Sequence, residues 1–209
     1  VQKMSTQKYR HAHRDVLRAK ARDYYETNTK IVKERQRRWR TKLKVEVFMA
    51  YGGCQCSLCP ENRVGALVID HIGGGGNDHR RTVGSGNVMY RWLKNNGFPS
   101  GFRVLCANCN HAVIDRRRVS DHPRAKESRD RYHRIRLRLV ERLGGKCATC
   151  SIGDNTILSI HHKDGDGGQH RAKKGLTTEL YIEAVNGKYP IEKLDCLCHS
   201  CHAVHHYGS

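Results

Sequence analysis

The sequence predicts an α+β protein made of two small modules, each stapled by four cysteines, with basic helices before and between them. First, the stretches LVIDHIGGGGNDHRR at 67–81 and LSIHHKDGDGGQHRA at 158–172 align without a gap, which indicates an internal repeat. Second, eight of the ten cysteines fall into four C-x-x-C pairs, and two pairs flank each stretch. Third, hydrophobic residues make up only 37% of the chain, so each module needs such staples to supplement a small core.

The cysteine spacing indicates two structural zinc sites. A tetrahedral zinc site is closed by two C-x-x-C knuckles from separate parts of the chain. A disulfide framework is the alternative, but this spacing suits chelation and nothing in the sequence indicates an oxidising compartment. Cys54 and Cys196 are expected to be ordinary thiols, although either could replace a neighbouring ligand. The predicted ligands are Cys56, Cys59, Cys106 and Cys109 in the first module and Cys147, Cys150, Cys198 and Cys201 in the second.

The repeat extends beyond the cysteines. Apolar residues spaced i, i+4, i+5, i+8 in 43–53 recur in 135–145, and both stretches end in Gly-Gly, which predicts a helix and its stop. Each unit then continues through a knuckle, a strand, a glycine-rich loop, a helix and a second knuckle. We therefore predict a basic helical arm at 1–42, module one at 43–113, a basic linker at 114–132 and module two at 133–209.

The charge balance indicates a nucleic-acid partner. The chain carries a net charge of +19, from 39 Lys and Arg against 20 Asp and Glu. Basic segments are often only solvated helices, but with this net charge we favour an arm that contacts phosphates, through Arg37, Arg38 and Arg40 in particular. The sequence has no apolar run of about 18 residues and opens with no signal peptide. We therefore expect a soluble, intracellular protein that does not bind membranes.

Module one contains the stretches YGGCQCSLC, IDHIGGGGNDHRR and MYRWLKNNGFPSGFRVLCANCN. Together they resemble phage-type HNH endonucleases of the ββα-metal (His-Me finger) superfamily. The resemblance covers all of module one, and a more divergent tandem copy covers module two. It implies two ββα-metal modules and a metal-dependent endonuclease that nicks or cuts double-stranded or branched DNA. It also implies a cytoplasmic location in a bacterial host cell, with a phage gene as one source.

The resemblance implies a role for each matching residue of module one. Asp70 would bind the catalytic divalent ion, Asn110 would supply a second oxygen ligand, and His71 would take a proton from the attacking water. The chemistry agrees, because phosphodiester hydrolysis needs a cation and a base that titrates near neutrality, and oxygen ligands suit Mg²⁺ or Mn²⁺. The Asn that gives the family its middle letter has no counterpart, since Gly101 and Lys193 lie near that position.

The glycines of the opening stretch are expected to let the chain leave the strand after His71 by a tight loop. His79, Arg80 and Arg81 would then face the strand being cut, with His79 either a substrate contact or a solvated loop residue. Arg80 matches Arg171 of module two, which favours phosphate contacts for both.

Module two replaces Asp70 with His161 and Asn110 with His202. Other branches of the HNH family use histidine at these places, so His161 and His202 could hold a metal while His162 acts as base. Imidazole ligands shift the preference toward transition metals such as Zn²⁺, Ni²⁺, Mn²⁺ or Co²⁺. Alternatively, module two is a binding or scaffolding copy that does not cut, and His199, His205 and His206 only make its tail rich in histidine.

Two other functions are compatible with the cysteines, and the first of them also fits the charge. One is a zinc-stabilised nucleic-acid-binding protein that forms a structural part of a virion or a ribonucleoprotein. The other is an adaptor for protein partners, which the net charge disfavours. Asp70, His71 and Asn110 favour the endonuclease, because a pure binder has no need of oxygen ligands around a histidine.

Overall fold

The computed structural model describes residues 6–117, 123–174 and 177–208 and has an α+β fold. The strands are β1 (Leu67–His71), β2 (Phe102–Cys106), β3 (Leu158–His162) and β4 (Leu194–Cys198). The helices are α1 (Thr6–Ala12), α2 (Arg14–Thr27), α3 (Thr29–Ala50), α4 (Gly76–Val83), α5 (Asn87–Asn95), α6 (Ala107–Arg117), α7 (Pro123–Arg142), α8 (Gly167–Lys174), α9 (Thr177–Val185) and α10 (His199–Tyr207).

Each module is an antiparallel two-stranded sheet followed by a helix. β1 pairs with β2 and places His71 opposite Phe102, while β3 pairs with β4 and places His162 opposite Leu194. Along the chain, two helices separate the two strands of each sheet. A further helix, α6 in module one and α10 in module two, starts directly after the second strand. The internal repeat predicted from the sequence thus reappears as matching elements in the same order.

The helix before each sheet contributes part of the core of its module. In α3 the buried residues include Leu43, Val47 and Phe48, and in α7 they include Leu139 and Val140. These residues form the face predicted from the i, i+4, i+5 spacing. Burying a side chain of this kind stabilises the fold by roughly 1.5–3 kcal/mol relative to its exposure.

The basic segments are largely helical. No residue of α1 or α2 is buried, and Arg37, Arg38 and Arg40 are exposed on α3. Because α3 begins at Thr29, the boundary placed at 42/43 falls inside a helix that joins the arm to module one. The predicted linker at 114–132 includes the end of α6 and the start of α7. Among the described residues, no helix has both the length and the apolar character needed to cross a bilayer.

The two modules contact each other through α6 and α10. The backbone N–H of Asn108 donates to Ser200 Oγ at 3.3 Å, and the backbone N–H of Ser200 donates to Asn108 Oδ1 at 2.9 Å. The rings of His111 and His199 stack nearby, 4.1 Å between centroids. Asn108 and Ser200 occupy matching positions of the repeat, so the contact is reciprocal, as at a two-fold interface between identical subunits.

Candidate metal and catalytic sites

The eight paired cysteines form two groups of four thiols, one in each module, and the sulfurs of each group lie within 4.8 Å of one another. Cys59 Sγ lies 3.6 Å from Cys106 Sγ, and Cys150 Sγ lies 3.8 Å from Cys198 Sγ. Two thiolates that share a tetrahedral zinc, with Zn–S bonds of about 2.3 Å, would stand about 3.8 Å apart. The two groups therefore fit structural zinc, as the spacing predicted, and Cys54 and Cys196 belong to neither.

Backbone N–H groups donate hydrogen bonds to several of the paired cysteine thiols. The N–H groups of Cys109 and Cys201 point at the Sγ atoms of Cys106 and Cys198, at 3.3 and 3.4 Å. Burial raises the pKa of Cys147, but backbone N–H donors outweigh it and lower that pKa to about 7. The pKa of Cys56 is also lowered, whereas burial raises the pKa values of Cys59, Cys109, Cys150 and Cys201. Since the thiolate is the form that binds metal, zinc has to displace protons from these four thiols.

Arg63 connects module one to the cysteine group of module two. Its guanidinium Nη1 lies 3.8 Å from Cys201 Sγ, and its Nε donates to Glu61 Oε1 at 2.8 Å. Hydrogen bonds that reach metal-bound thiolates affect the metal centre and hold the ligands in place. The guanidinium of Arg63, from module one, therefore helps to hold the cysteine group of module two in place.

Asp70 lies near the end of β1 and is only 6% exposed. Arg103 stands directly opposite it on β2, and the Arg103 Nε donates to Asp70 Oδ2 at 2.9 Å. A divalent ion at Asp70 has to share the carboxylate with this charge-assisted hydrogen bond. Asn110 follows Cys109 on α6 and is partly buried.

His71 is paired with a second histidine. Its Nε2 lies 2.8 Å from Nδ1 of His79. His79 was expected on a loop, either as a substrate contact or as a solvated residue. The glycine-rich stretch instead continues into α4, and this helix directs His79 toward His71. Burial lowers the pKa of His71, and the nearby charges of His79 and Arg80 lower it further, against the opposing effect of Asp70.

One glycine in each module allows the first helix after the strand to approach the histidine. A Cβ added to Gly76 would lie 3.0 Å from His71 Nδ1, and a Cβ added to Gly167 would lie 2.8 Å from His162 Nδ1. Real Cβ atoms rarely come so close, so a side chain at either position would make the histidine ring shift. The glycine-rich stretches therefore position a histidine ring against a helix start, beyond providing a flexible turn.

The candidate phosphate contacts differ in their surroundings. Arg80 is exposed on α4 and close enough to His71 to affect its pKa. Arg81 is also exposed and pairs with Asp78 at 3.2 Å, while Arg38 pairs with Glu34 at 2.9 Å. Exposed pairs of this kind contribute little stability and exchange readily for a phosphate. The side chain of Arg171 lies outside the described part of the structure.

Three histidines converge at the matching point of module two. His161 near the end of β3 is 4% exposed, and His202 and His206 lie one turn apart on α10. One nitrogen from each lies within 4.8 Å of the other two, and the Nε2 atoms of His202 and His206 are 3.0 Å apart. Two nitrogens bound to one tetrahedral ion at about 2.0–2.1 Å would stand about 3.3 Å apart. The cluster therefore fits a transition-metal ion.

The histidine cluster opens to a cavity of about 220 Å³. His162, the residue after His161 on β3, also lines this cavity, as do Gly165 and Gly167. Burial lowers the pKa of His161, and it lowers that of His202 to about 4, with the other histidines of the cluster contributing in both cases. Both rings are neutral at pH 7, which is the form that binds metal.

The hydrogen bonds of Ser159 determine which ring nitrogen of His202 carries the proton. The Ser159 hydroxyl lies 2.9 Å from the Leu197 carbonyl and must donate to it, because a carbonyl only accepts. Ser159 Oγ then accepts from His202 Nδ1 at 3.2 Å. The proton of His202 is thereby on Nδ1, and the lone pair is on Nε2, the nitrogen that faces His206.

Replacing Ser159 with alanine is expected to weaken metal binding at this cluster by about 10–100-fold, as for other partners that orient a ligating histidine. Titration calorimetry with Co²⁺, on protein whose cysteine groups are already loaded with zinc, measures this affinity. Ser57→Ala is the matched control, because Ser57 also donates to a carbonyl, that of Val104 at 2.9 Å, but contacts no histidine. Equal affinities for the two variants would contradict the role of Ser159.

His206 was not predicted as a metal ligand. It was considered only as one of the histidines of the tail. The available signal was the i, i+4 spacing of His202 and His206 in a helical stretch, which puts both on one face. The positions of module one that match His206 and Ser159 hold Ile114 and Val68. The three-imidazole set therefore belongs to module two.

Comparison of this chain with protein-family models, with curated proteins and with solved structures yields no match.

Proposed function

We propose that the protein is a metal-dependent endonuclease of the HNH type, which hydrolyses phosphodiester bonds in DNA. The observation that carries this proposal is the convergence of His161, His202 and His206 beside His162 in an open cavity. A protein that only binds nucleic acid needs no such cluster next to a further imidazole. The same strand end in module one carries Asp70 and His71.

In module two, His161, His202 and His206 would hold a transition-metal ion. When bound, such an ion supplies positive charge to the phosphate and makes a nearby water more acidic. His162 would accept the proton of the attacking water, a contribution of about 10²–10⁴-fold to the rate. The small cavity would admit the phosphate while excluding most bulk water.

Module one would work with a different ion. Asp70 and Asn110 offer oxygen atoms, which suit Mg²⁺ or Mn²⁺, and His71 would be its base. Arg103 already neutralises Asp70, so this ion has to displace or share that hydrogen bond. We therefore propose that module one needs a higher metal concentration than module two.

The basic surface would supply most of the affinity for DNA. The net charge of +19 and the exposed Arg37 and Arg40 on α3 favour phosphate contacts that carry little sequence information. Arg80, beside His71, would contact the phosphate nearest the reaction. Double-stranded or branched DNA in the cytoplasm of a bacterial cell is the substrate that we propose.

Conversion of supercoiled plasmid to nicked and linear forms tests the proposal, with Mg²⁺, Mn²⁺ and Co²⁺ added separately. With Mn²⁺, which suits both sets of ligands, we expect linear product from the wild type. His71→Ala and His162→Ala should each give nicked product, because each inactivates its own module. His133→Ala, which alters an exposed histidine on α7, is the control and should cut normally. Intact plasmid with every metal, despite retained DNA binding, would contradict the proposal.

A second candidate is a zinc-stabilised nucleic-acid-binding protein within a phage or ribonucleoprotein assembly. The Asp70–Arg103 ion pair favours this second candidate for module one, because the charge of Arg103 already balances the Asp70 carboxylate and no metal ion is needed there. The plasmid experiment separates the two candidates, since an assembly component would bind DNA without cutting it.

A further inference from the structure

His79 is held firmly beside His71. Its ring lies 4.4 Å from the ring of Trp92 and 5.9 Å from that of Phe102, measured between centroids. Phe102 also contacts the ring of His71 at 4.7 Å. Aromatic packing on two sides restricts the rotation of both imidazoles, so the 2.8 Å contact between His71 Nε2 and His79 Nδ1 belongs to an ordered pair.

A hydrogen bond between two neutral imidazole nitrogens contains one proton, so one ring donates and the other accepts. If His79 donated, His71 would accept at Nε2 and carry its own proton on Nδ1, with no nitrogen left to take a proton from water. If His71 donates from Nε2, its remaining lone pair is on Nδ1. Only the second arrangement makes His71 a base.

We propose that His79 is the positioning residue of His71: its Nδ1 accepts the Nε2 proton of His71 and so keeps the lone pair of the base on Nδ1. This inference rests on the proposed function of His71. When a water proton passes to Nδ1, the Nε2 proton stays in the hydrogen bond to His79, so the imidazolium forms without reorientation. The arrangement has the logic of a carboxylate that orients a catalytic histidine, with a neutral ring as acceptor.

The surroundings of Nδ1 agree with this assignment. Nδ1 of His71 faces Gly76, at the start of α4, where a Cβ would stand only 3.0 Å away. A side chain at position 76 would crowd the nitrogen that would receive the proton, and glycine avoids this. The matching residue of module two is His170, whose side chain lies outside the described part of the structure, so the inference concerns module one.

Three variants at position 79 separate the hydrogen bond from the packing. His79→Phe keeps an aromatic ring against Trp92 and Phe102 but has no acceptor. His79→Asn places an amide oxygen close to the position of Nδ1, whereas His79→Gln carries its oxygen one bond farther out. All three are made in a His162→Ala background, so that plasmid nicking with Mg²⁺ reports on module one, and zinc content and melting temperature confirm folding.

The expected result is a kcat about 10–100-fold lower for His79→Phe with KM unchanged, the range found for residues that orient a functional histidine. His79→Asn should recover most of the rate and His79→Gln little of it. Equal losses in the Phe and Asn variants would overturn the proposal, because the acceptor would then not matter. An unchanged kcat in His79→Phe would overturn it as well.

Nitrogen-15 NMR of the His71 ring gives a readout that does not need cleavage. The full-length, zinc-loaded protein should show the tautomer with its proton on Nε2, and His79→Phe should show a mixture of tautomers. The same tautomer in both proteins would overturn the inference. If the His162→Ala protein does not nick DNA, hydrolysis by module one fails, and the NMR comparison still decides whether His79 sets the tautomer of His71.

Discussion

Serine in place of Cys106 is expected to unfold module one and to reduce the zinc bound by the four-thiol groups from two ions per chain to one. Cys106 is 2% exposed and ends β2 where α6 begins, so its thiolate would tie the sheet to the helix. Structural zinc contributes an apparent binding free energy of about 10–16 kcal/mol, which is comparable to the whole stability of a typical domain, about 5–15 kcal/mol.

Circular dichroism and metal analysis would measure this effect. Cys54→Ser is the matched control, because Cys54 lies two residues before a zinc ligand but belongs to neither four-thiol group. The control should keep two zinc ions and nearly the wild-type melting temperature. A Cys106→Ser protein that also keeps both ions and its helicity would contradict the zinc assignment for module one.

Alanine in place of His206 is expected to weaken binding of Co²⁺ or Zn²⁺ to module two by at least about 100-fold. The change removes one of three ligands, a larger loss than the 10–100-fold typical of groups that only orient a ligand. Cobalt absorption spectra, recorded after the cysteine groups have been filled with zinc, would follow this binding. Plasmid cleavage by module two should fall in parallel.

His205→Ala is the control for this prediction. The ring of His205 lies 4.4 Å from that of His161, but His205 is not one of the three converging histidines. It should bind cobalt almost as the wild type does. Equal losses in the two variants would show that the tail binds metal diffusely, without a defined three-histidine site.

Local spacing explains which parts of the structure could be predicted from the sequence. The C-x-x-C pairs and the apolar face that includes Val47 and Phe48 depend on residues a few positions apart, where chain geometry leaves few alternatives. The four-thiol groups and the buried helix faces were accordingly predicted correctly. His161 and His202 also lie together in the structure, and the alignment of the two modules had placed both at matching positions.

Contacts across longer separations were not predictable. Asp70 meets Arg103 because of the register of β1 and β2, which the sequence alone does not specify. His79 reaches His71 only because a helix begins at Gly76, where the glycines indicated a loop. Such contacts depend on where a helix starts or how two strands align, and an error of one residue there redirects a side chain.

The reciprocal contact between Asn108 and Ser200 gives this chain the character of a covalently fused dimer. In a pair of identical subunits every substitution occurs twice, so both halves must tolerate it. Here each half can change alone, as the exchange of Asp70 for His161 illustrates. Because one chain links the halves, their association is intramolecular and persists on dilution. Each half can therefore keep its own metal chemistry while both remain on the same molecule.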